Sequence, residues 1–144
     1  SSTIHLKEIR KKILDFDLIL AKLDAGNQKD FLRTNRPHLE VPSIEVIIDS
    51  LTEIRKEKSD KTELALQTLL YNSYDKSEGD KSNQRNIKSL AKAIRKIKPN
   101  IVQIYSIARI PAEPFVYSID DEKKDIAEKL RKIINDDSIK IDIF

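Results

Sequence analysis

An ammonium and a carboxylate close the first apolar run of this chain. Leu18 to Ala21 is continuously apolar, Lys22 and Asp24 then alternate with Leu23 and Ala25, and Gly26 ends the stretch LILAKLDAG. On a strand, period-two geometry turns Lys22 and Asp24 to the same side. The exit end of a parallel strand is where α/β sheets gather ligands. Two opposite charges there can meet a ligand, or they can satisfy each other as an ion pair.

Other polar side chains fall at equivalent places along the chain. Gln67, Thr68 and Asn72 lie at the end of a second apolar run, and Gln103, Tyr105, Ser106 and Arg109 at the end of a third. A loop between the first and second runs carries Asn35, Arg36 and His38 in the segment NRPH. Gln67 and Gln103 interrupt otherwise apolar runs, and a buried amide is costly unless hydrogen-bonded, so each needs a partner in the interior or on a ligand. The planar fork of Arg109 could clamp a carboxylate or phosphate. It could equally pair with Glu113 and hold the proline-rich turn. His38, beside Pro37, reads as a loop residue or a general base. No Ser/His/Asp set, no HExxH and no phosphate-binding glycine loop is present, so these residues describe a polar rim rather than a complete catalytic set.

Cysteine is absent and His5 and His38 are the only histidines. Disulfides and thiolate metal sites are therefore excluded, and no metal site is expected within the chain. The 27 basic and 24 acidic residues are mixed throughout and leave a net charge of +3. Nucleic-acid binding is permitted by that balance but not indicated by any basic block. Charged residues make up 35% of the chain and hydrophobic ones 39%, a globular composition with no apolar run near the roughly 18 residues that span a bilayer. Without a signal peptide, a cytoplasmic location is expected. Abundant Lys, Glu and Ile lean towards a thermophilic source. Methionine is missing, even at position 1, which suggests a processed or partial chain.

The elements that must position the rim follow from periodicity. Leu6, Ile9, Ile13 and Phe16 predict a helix from Thr3 to Phe16. Asn27 to Pro42 reads as one long polar loop. Ile44, Ile47, Ile48, Leu51 and Ile54 predict a helix over about Ser43–Lys58, with Ser43 as its N-cap. Glu63–Tyr71 reads as a strand and Asn72–Ser82 as an exposed loop. Ile87, Leu90, Ala91, Ile94 and Ile97 repeat the helical spacing up to Pro99, and Ile101–Ile107 forms the next strand. The last helix begins near Asp120, and Ile139, Ile141 and Ile143 alternate with Lys140 and Asp142 in a short edge strand. Strands separated by helices imply a parallel sheet in one α/β domain. At 144 residues the chain holds a single core, and three internal strands are few for a closed barrel.

Three segments together resemble a known family. DLILAKLDAG, then FLRTNRPH, then VQIYSIARIPAEPF are similar, in order and spacing, to the C-terminal half of archaeal and bacterial radical S-adenosylmethionine (radical SAM) proteins. There the pattern is a strand ending in SLDAG or KLDAG, a loop ending in NRPH and a strand ending in R-x-P-A-E-P. The resemblance covers nearly the whole chain. It implies a partial (β/α) barrel of the TIM type, of which residues 1–144 form one domain carrying parallel strands four to six with flanking helices. It further implies an iron–sulfur oxidoreductase that uses S-adenosylmethionine and a 4Fe–4S cluster, within the branch that includes wyosine-type tRNA modification proteins. Lys22, Asp24 and Gln67 match positions expected to contact the cofactor, and Asn35, Arg36, His38, Asn72, Gln103 and Arg109 the substrate mouth. The cluster-binding CxxxCxxC segment is not in this chain, so the expected partners are the N-terminal half of the barrel or a second copy, with tRNA as a possible substrate of the parent. The rival expectation is a non-catalytic α/β binding or assembly module without a cluster.

Overall fold

A computed structural model describes residues 2–74 and 79–144, with the backbone alone described over 79–85. In chain order, α1 (Lys7–Ile13) leads to β1 (Leu18–Lys22), α2 (Gln28–Asn35), α3 (Ile44–Glu57), β2 (Glu63–Leu69) and β3 (Asn72–Ser73). There follow α4 (Gly79–Ile97), β4 (Ile101–Tyr105), β5 (Val116–Tyr117), α5 (Lys123–Ile134) and β6 (Lys140–Ile143). The strands β1, β2, β4 and β6 form one sheet in that spatial order, every neighbouring pair parallel. β3 and β5 make a separate two-stranded antiparallel ribbon. The three predicted internal strands are thus parallel neighbours, and the tail is the edge strand its alternation predicts.

Alternation along the strands decides which face is covered. Ile19 and Ala21 of β1, Leu64 and Leu66 of β2, Val102 and Ile104 of β4 and Ile141 of β6 are buried. They share one core with Ile47, Leu51 and Ile54 of α3, Leu90, Ile94 and Ile97 of α4, and Ile126 and Leu130 of α5. Each helix presents the stripe that its 3.6-residue period predicts, and α4 packs between α3 and α5. Burying each such side chain stabilises the fold by about 1.5–3 kcal/mol, so this face holds the domain together.

The other face is bare of helices. Leu18 and Leu20 lie 52% and 50% exposed there. In register across the sheet, Lys22 stands beside Gln67, Gln67 beside Gln103, and Gln103 beside Asp142. One polar row therefore crosses all four strands, preceded by the row Leu20, Ala65, Ile101 and Lys140. The sheet is open, with β1 and β6 as its edges, rather than a closed barrel.

Several local expectations are corrected. The first helix covers only Lys7–Ile13, lacks a side-chain N-cap and buries none of its residues. Phe16, expected on its inner stripe, is 61% exposed. A seven-residue helix is marginal alone; Ile4 ahead of it is buried in the core, and Ile13 at its end and Leu14 after it lean on that core. The segment expected as a long loop contains α2, whose N-cap Asn27 accepts a hydrogen bond from the Asp30 backbone N–H at 3.0 Å. Burial of Phe31 anchors it. In the stretch expected as a loop over Asn72–Ser82, Asn72 and Ser73 pair with β5, residues 75–78 lie outside the described residues, and α4 already begins at Gly79. Asp120–Glu122 forms a 3-10 turn, with α5 starting at Lys123.

Candidate functional site

The rim is assembled where β1, β2 and β4 end. β1 stops at Lys22, and the next residues are tied down one by one. The Leu23 N–H donates to the Gln67 carbonyl at 2.9 Å, and the Thr68 hydroxyl donates to the Leu23 carbonyl at 2.9 Å. The Asn86 amide donates to the Asp24 carbonyl at 3.0 Å, while its oxygen accepts from the Gly26 N–H at 3.1 Å. Gly26 is required by space rather than by backbone angle. A Cβ there would stand 2.2 Å from the Leu90 nitrogen and the Ser89 carbonyl carbon, both backbone atoms of α4.

Asp24 is the centre of this lacing. Its side chain is 1% exposed, so it does not stand at an open mouth as the strand periodicity suggests. One carboxylate oxygen accepts from the Leu69 backbone N–H at 2.8 Å and lies 3.3 Å from the Lys22 ammonium. The other accepts from the Asn35 amide at 2.8 Å. A buried carboxylate with that many donors is a satisfied structural anion.

Lys22 behaves differently. It stays on the bare face, bonded to the Tyr105 hydroxyl, with its ammonium 4.7 Å from the centre of the Tyr105 ring. Burial pulls its pKa down, but the Tyr105 hydrogen bond and the Asp24 charge outweigh that and hold it above the ordinary lysine value. Lys22 is therefore a cation at neutral pH, facing the polar row. Gln67 and Gln103 are half-buried in that row, and neither side chain has a hydrogen-bond partner among the described residues.

The remaining candidates divide. Arg36 takes the left-handed conformation at the end of α2, with φ 43°, and its guanidinium meets Glu113 at 2.6 Å. Glu113 thus pairs with Arg36 rather than with Arg109. Arg109 is exposed and borders a cavity of about 790 Å³ at the ends of β2 and β4. Asn35 is engaged with Asp24 in a smaller cavity of about 210 Å³ that also holds Lys22 and Phe31. Asn72 donates to Glu122 at 2.8 Å and lines neither cavity, although its neighbours Tyr71 and Ser73 line the larger one. His38 is exposed and lines neither cavity; its ring nitrogen accepts from the Glu40 N–H at 3.3 Å and lies 3.8 Å from the Glu40 carboxylate. Its place in the mouth is not supported by this geometry.

Sequence reasoning passed over Asn86, which bridges two backbone groups of the LDAG segment from α4, and Asp142, which completes the polar row. Asn86 carries no local signal, since its role depends on how α4 docks. Asp142 was within reach, because it alternates with Ile141 and Ile143. Among the described residues, no helix is long and apolar enough to cross a membrane.

No protein-family model matches the chain, and no solved structure matches it. Among known proteins it is similar to GTPase Obg of Brachyspira hyodysenteriae, 27% identical over 128 residues, which are 89% of this chain and 18% of the GTPase. It is also similar to the UPF0026 protein MJ1312 of Methanocaldococcus jannaschii, 26% identical over 136 residues, 94% of this chain and 39% of that protein. The chain spans less than half the length of either relative.

Proposed function

We propose that the chain is the C-terminal part of a radical SAM iron–sulfur oxidoreductase, supplying a segment of barrel wall, contacts to the ribose of S-adenosylmethionine and part of the substrate mouth. One observation carries this reading: the three segments that resemble the family are joined to one another at a single rim. Asp24 of LDAG bonds Asn35 of NRPH, and Arg36 of NRPH pairs with Glu113 of PAEP. Residues far apart in sequence meet in this way to build one rim, and in this reading the bare, polar-rowed face beneath it is the lumen side.

The donor set of this chain suits part of the chemistry only. With no cysteine, it supplies no ligand to a 4Fe–4S cluster, and those ligands belong to another part of the parent. The polar row fits S-adenosylmethionine better: the amides of Gln67 and Gln103 can donate to and accept from ribose hydroxyls, flanked by the Lys22 ammonium, held by Tyr105 and Asp24, and by the Asp142 carboxylate, 3.0 Å from Lys140. When bound, the cofactor supplies the radical chemistry. The residues of this chain bind and orient it, while Asp24, Asn35, Arg36 and Glu113 keep the strand ends in place. The similarity to a GTPase brings no nucleotide hydrolysis to the reading, because the chain has no GxxxxGK[ST] segment.

The test begins with the full-length coding sequence, which should extend through a CxxxCxxC segment. The protein it encodes, reconstituted anaerobically with iron and sulfide, should bind S-adenosylmethionine, and Gln67→Ala should weaken that binding about tenfold without lowering the melting temperature. A coding sequence with no such segment would overturn the proposal. The rival reading, an assembly module without a cluster, is favoured by the exposed Leu18 and Leu20 on the bare face. It would be supported by a cluster-free protein whose bare face is covered by a second copy in solution.

A further inference from the structure

We infer that the larger rim cavity is a binding site for an organic anion with a flat, ring-bearing body, whose charged head is taken by Arg109. The cavity encloses about 790 Å³, within the range of sites that bury a small molecule. It lies where such sites occur in parallel sheets, beyond the carboxyl ends of the strands. The inference rests on residues of this chain alone and does not require the radical SAM reading.

Charge sets the polarity of the ligand. Arg33, Arg36, Arg109 and Glu113 border the space. Arg36 and Glu113 neutralise one another at 2.6 Å, and Arg33 lies 3.6 Å from the buried carboxylate of Asp30. Arg109 has no ion-pair or hydrogen-bond partner among the described residues, so the cavity carries one surplus cation. An unpaired guanidinium beside a largely apolar hollow favours a carboxylate, sulfonate or phosphate held through its bidentate fork.

The walls set the shape. Leu69 and Tyr105 stand at the strand ends, and Tyr71, Ile107 and Phe115 are among the other lining residues. Three aromatic side chains around one hollow favour a ring over a flexible chain, because ring pairs gain beyond the area they bury. Tyr71 is held in position by Thr34, whose hydroxyl lies 3.1 Å from its own. Tyr105 is held by Lys22. Two of the three aromatic walls are thus fixed before any ligand arrives, which lowers the ordering cost of binding.

Two fluorescent probes separate charge from shape: anilinonaphthalene sulfonate, which bears the anion, and phenylnaphthylamine, which has the rings without it. Both should bind with a stoichiometry of one per chain. Arg109→Gln, an exposed change that spares the core, should weaken the sulfonate about tenfold and leave the neutral probe unchanged. Ile107→Trp, which fills the cavity, should weaken both. An unchanged sulfonate affinity in Arg109→Gln, an equal loss of both probes in that variant, or undiminished binding in Ile107→Trp would each overturn the assignment. Circular dichroism of the two variants establishes that they are folded, and if Ile107→Trp fails to fold, the Arg109→Gln comparison decides alone.

Discussion

The carboxylate of Asp24 can be removed in two ways that differ in what they leave behind. Asp24→Ala deletes the acceptor of the Leu69 N–H and the Asn35 amide, both at 2.8 Å. Two hydrogen bonds to a charged acceptor, at about 1.5–3 kcal/mol each, bracket the loss at roughly 3–6 kcal/mol. That is a large share of the roughly 5–15 kcal/mol that holds a domain folded. Asp24→Asn is milder. Its oxygen can keep the Leu69 N–H, and its new amide can donate to Asn35 once that side chain turns its own oxygen inward. Each bond then falls to a neutral one, about 1 kcal/mol weaker, for a total near 2 kcal/mol. Lys22 adds little to this sum, because its side chain is 43% exposed. Thermal melts should show a fall of about 4–8 °C for Asp24→Asn and more than about 10 °C for Asp24→Ala. Asn35→Ala, which removes one of the two bonds, should lie between the parent and Asp24→Ala. If Asp24→Asn melts with the parent while ligand affinity falls, the carboxylate is a contact at an open mouth and the reasoning from burial is wrong.

Two further outcomes follow from the same rim. Gly26→Ala should destabilise by at least about 1–3 kcal/mol in urea titrations, since its Cβ would meet the backbone of α4 at 2.2 Å; an unchanged midpoint would mean that α4 docks less closely. Lys22 has a pKa held above the ordinary 10.5 in the folded protein by Tyr105 and Asp24, against the pull of burial. Its contribution is therefore complete at neutral pH and is lost as pH rises through its folded value. The stability gap between the parent and Lys22→Met should shrink above about pH 10.5, and a gap that widens there would contradict the sign.

The parts of the fold legible in the sequence were those written as a single repeated period. The stripes from Ile44 to Ile54 and from Ile87 to Ile97 bury as spaced. The apolar runs are strands in parallel register. α2 was hidden by its polar composition, although Asn27 three residues before Asp30 is a capping signal and Phe31 is its anchor. The candidate site divided along the same line. Lys22, Gln67 and Gln103 lie in one row because strand alternation holds up to the end of each strand. Asp24 sits two residues past that limit for β1, where the chain turns inward and periodicity no longer says which way a side chain faces. Arg109 and Glu113 are close in sequence, but the segment between them is not helical, so the spacing that brings side chains together on a helix has no force there. Glu113 instead meets Arg36 from another loop, a contact set by tertiary packing alone.

These contacts separate two kinds of residue that a motif treats alike. Asp24, Asn35, Arg36 and Glu113 are each committed to another protein group, and a committed group has little left to offer a ligand. Gln67, Gln103 and Arg109 have no such commitment among the described residues, yet they sit on the same rim and on the face below it. A buried anion that ties the ends of β1, β2 and α2 together fixes where the uncommitted side chains stand. Precision of that kind is worth more to a binding site than an added contact, because groups held in place before the ligand arrives lose less freedom when it binds. On this division, the residues most recognisable in the sequence build the rim, and the plainer amides and arginine between them are the ones left uncommitted.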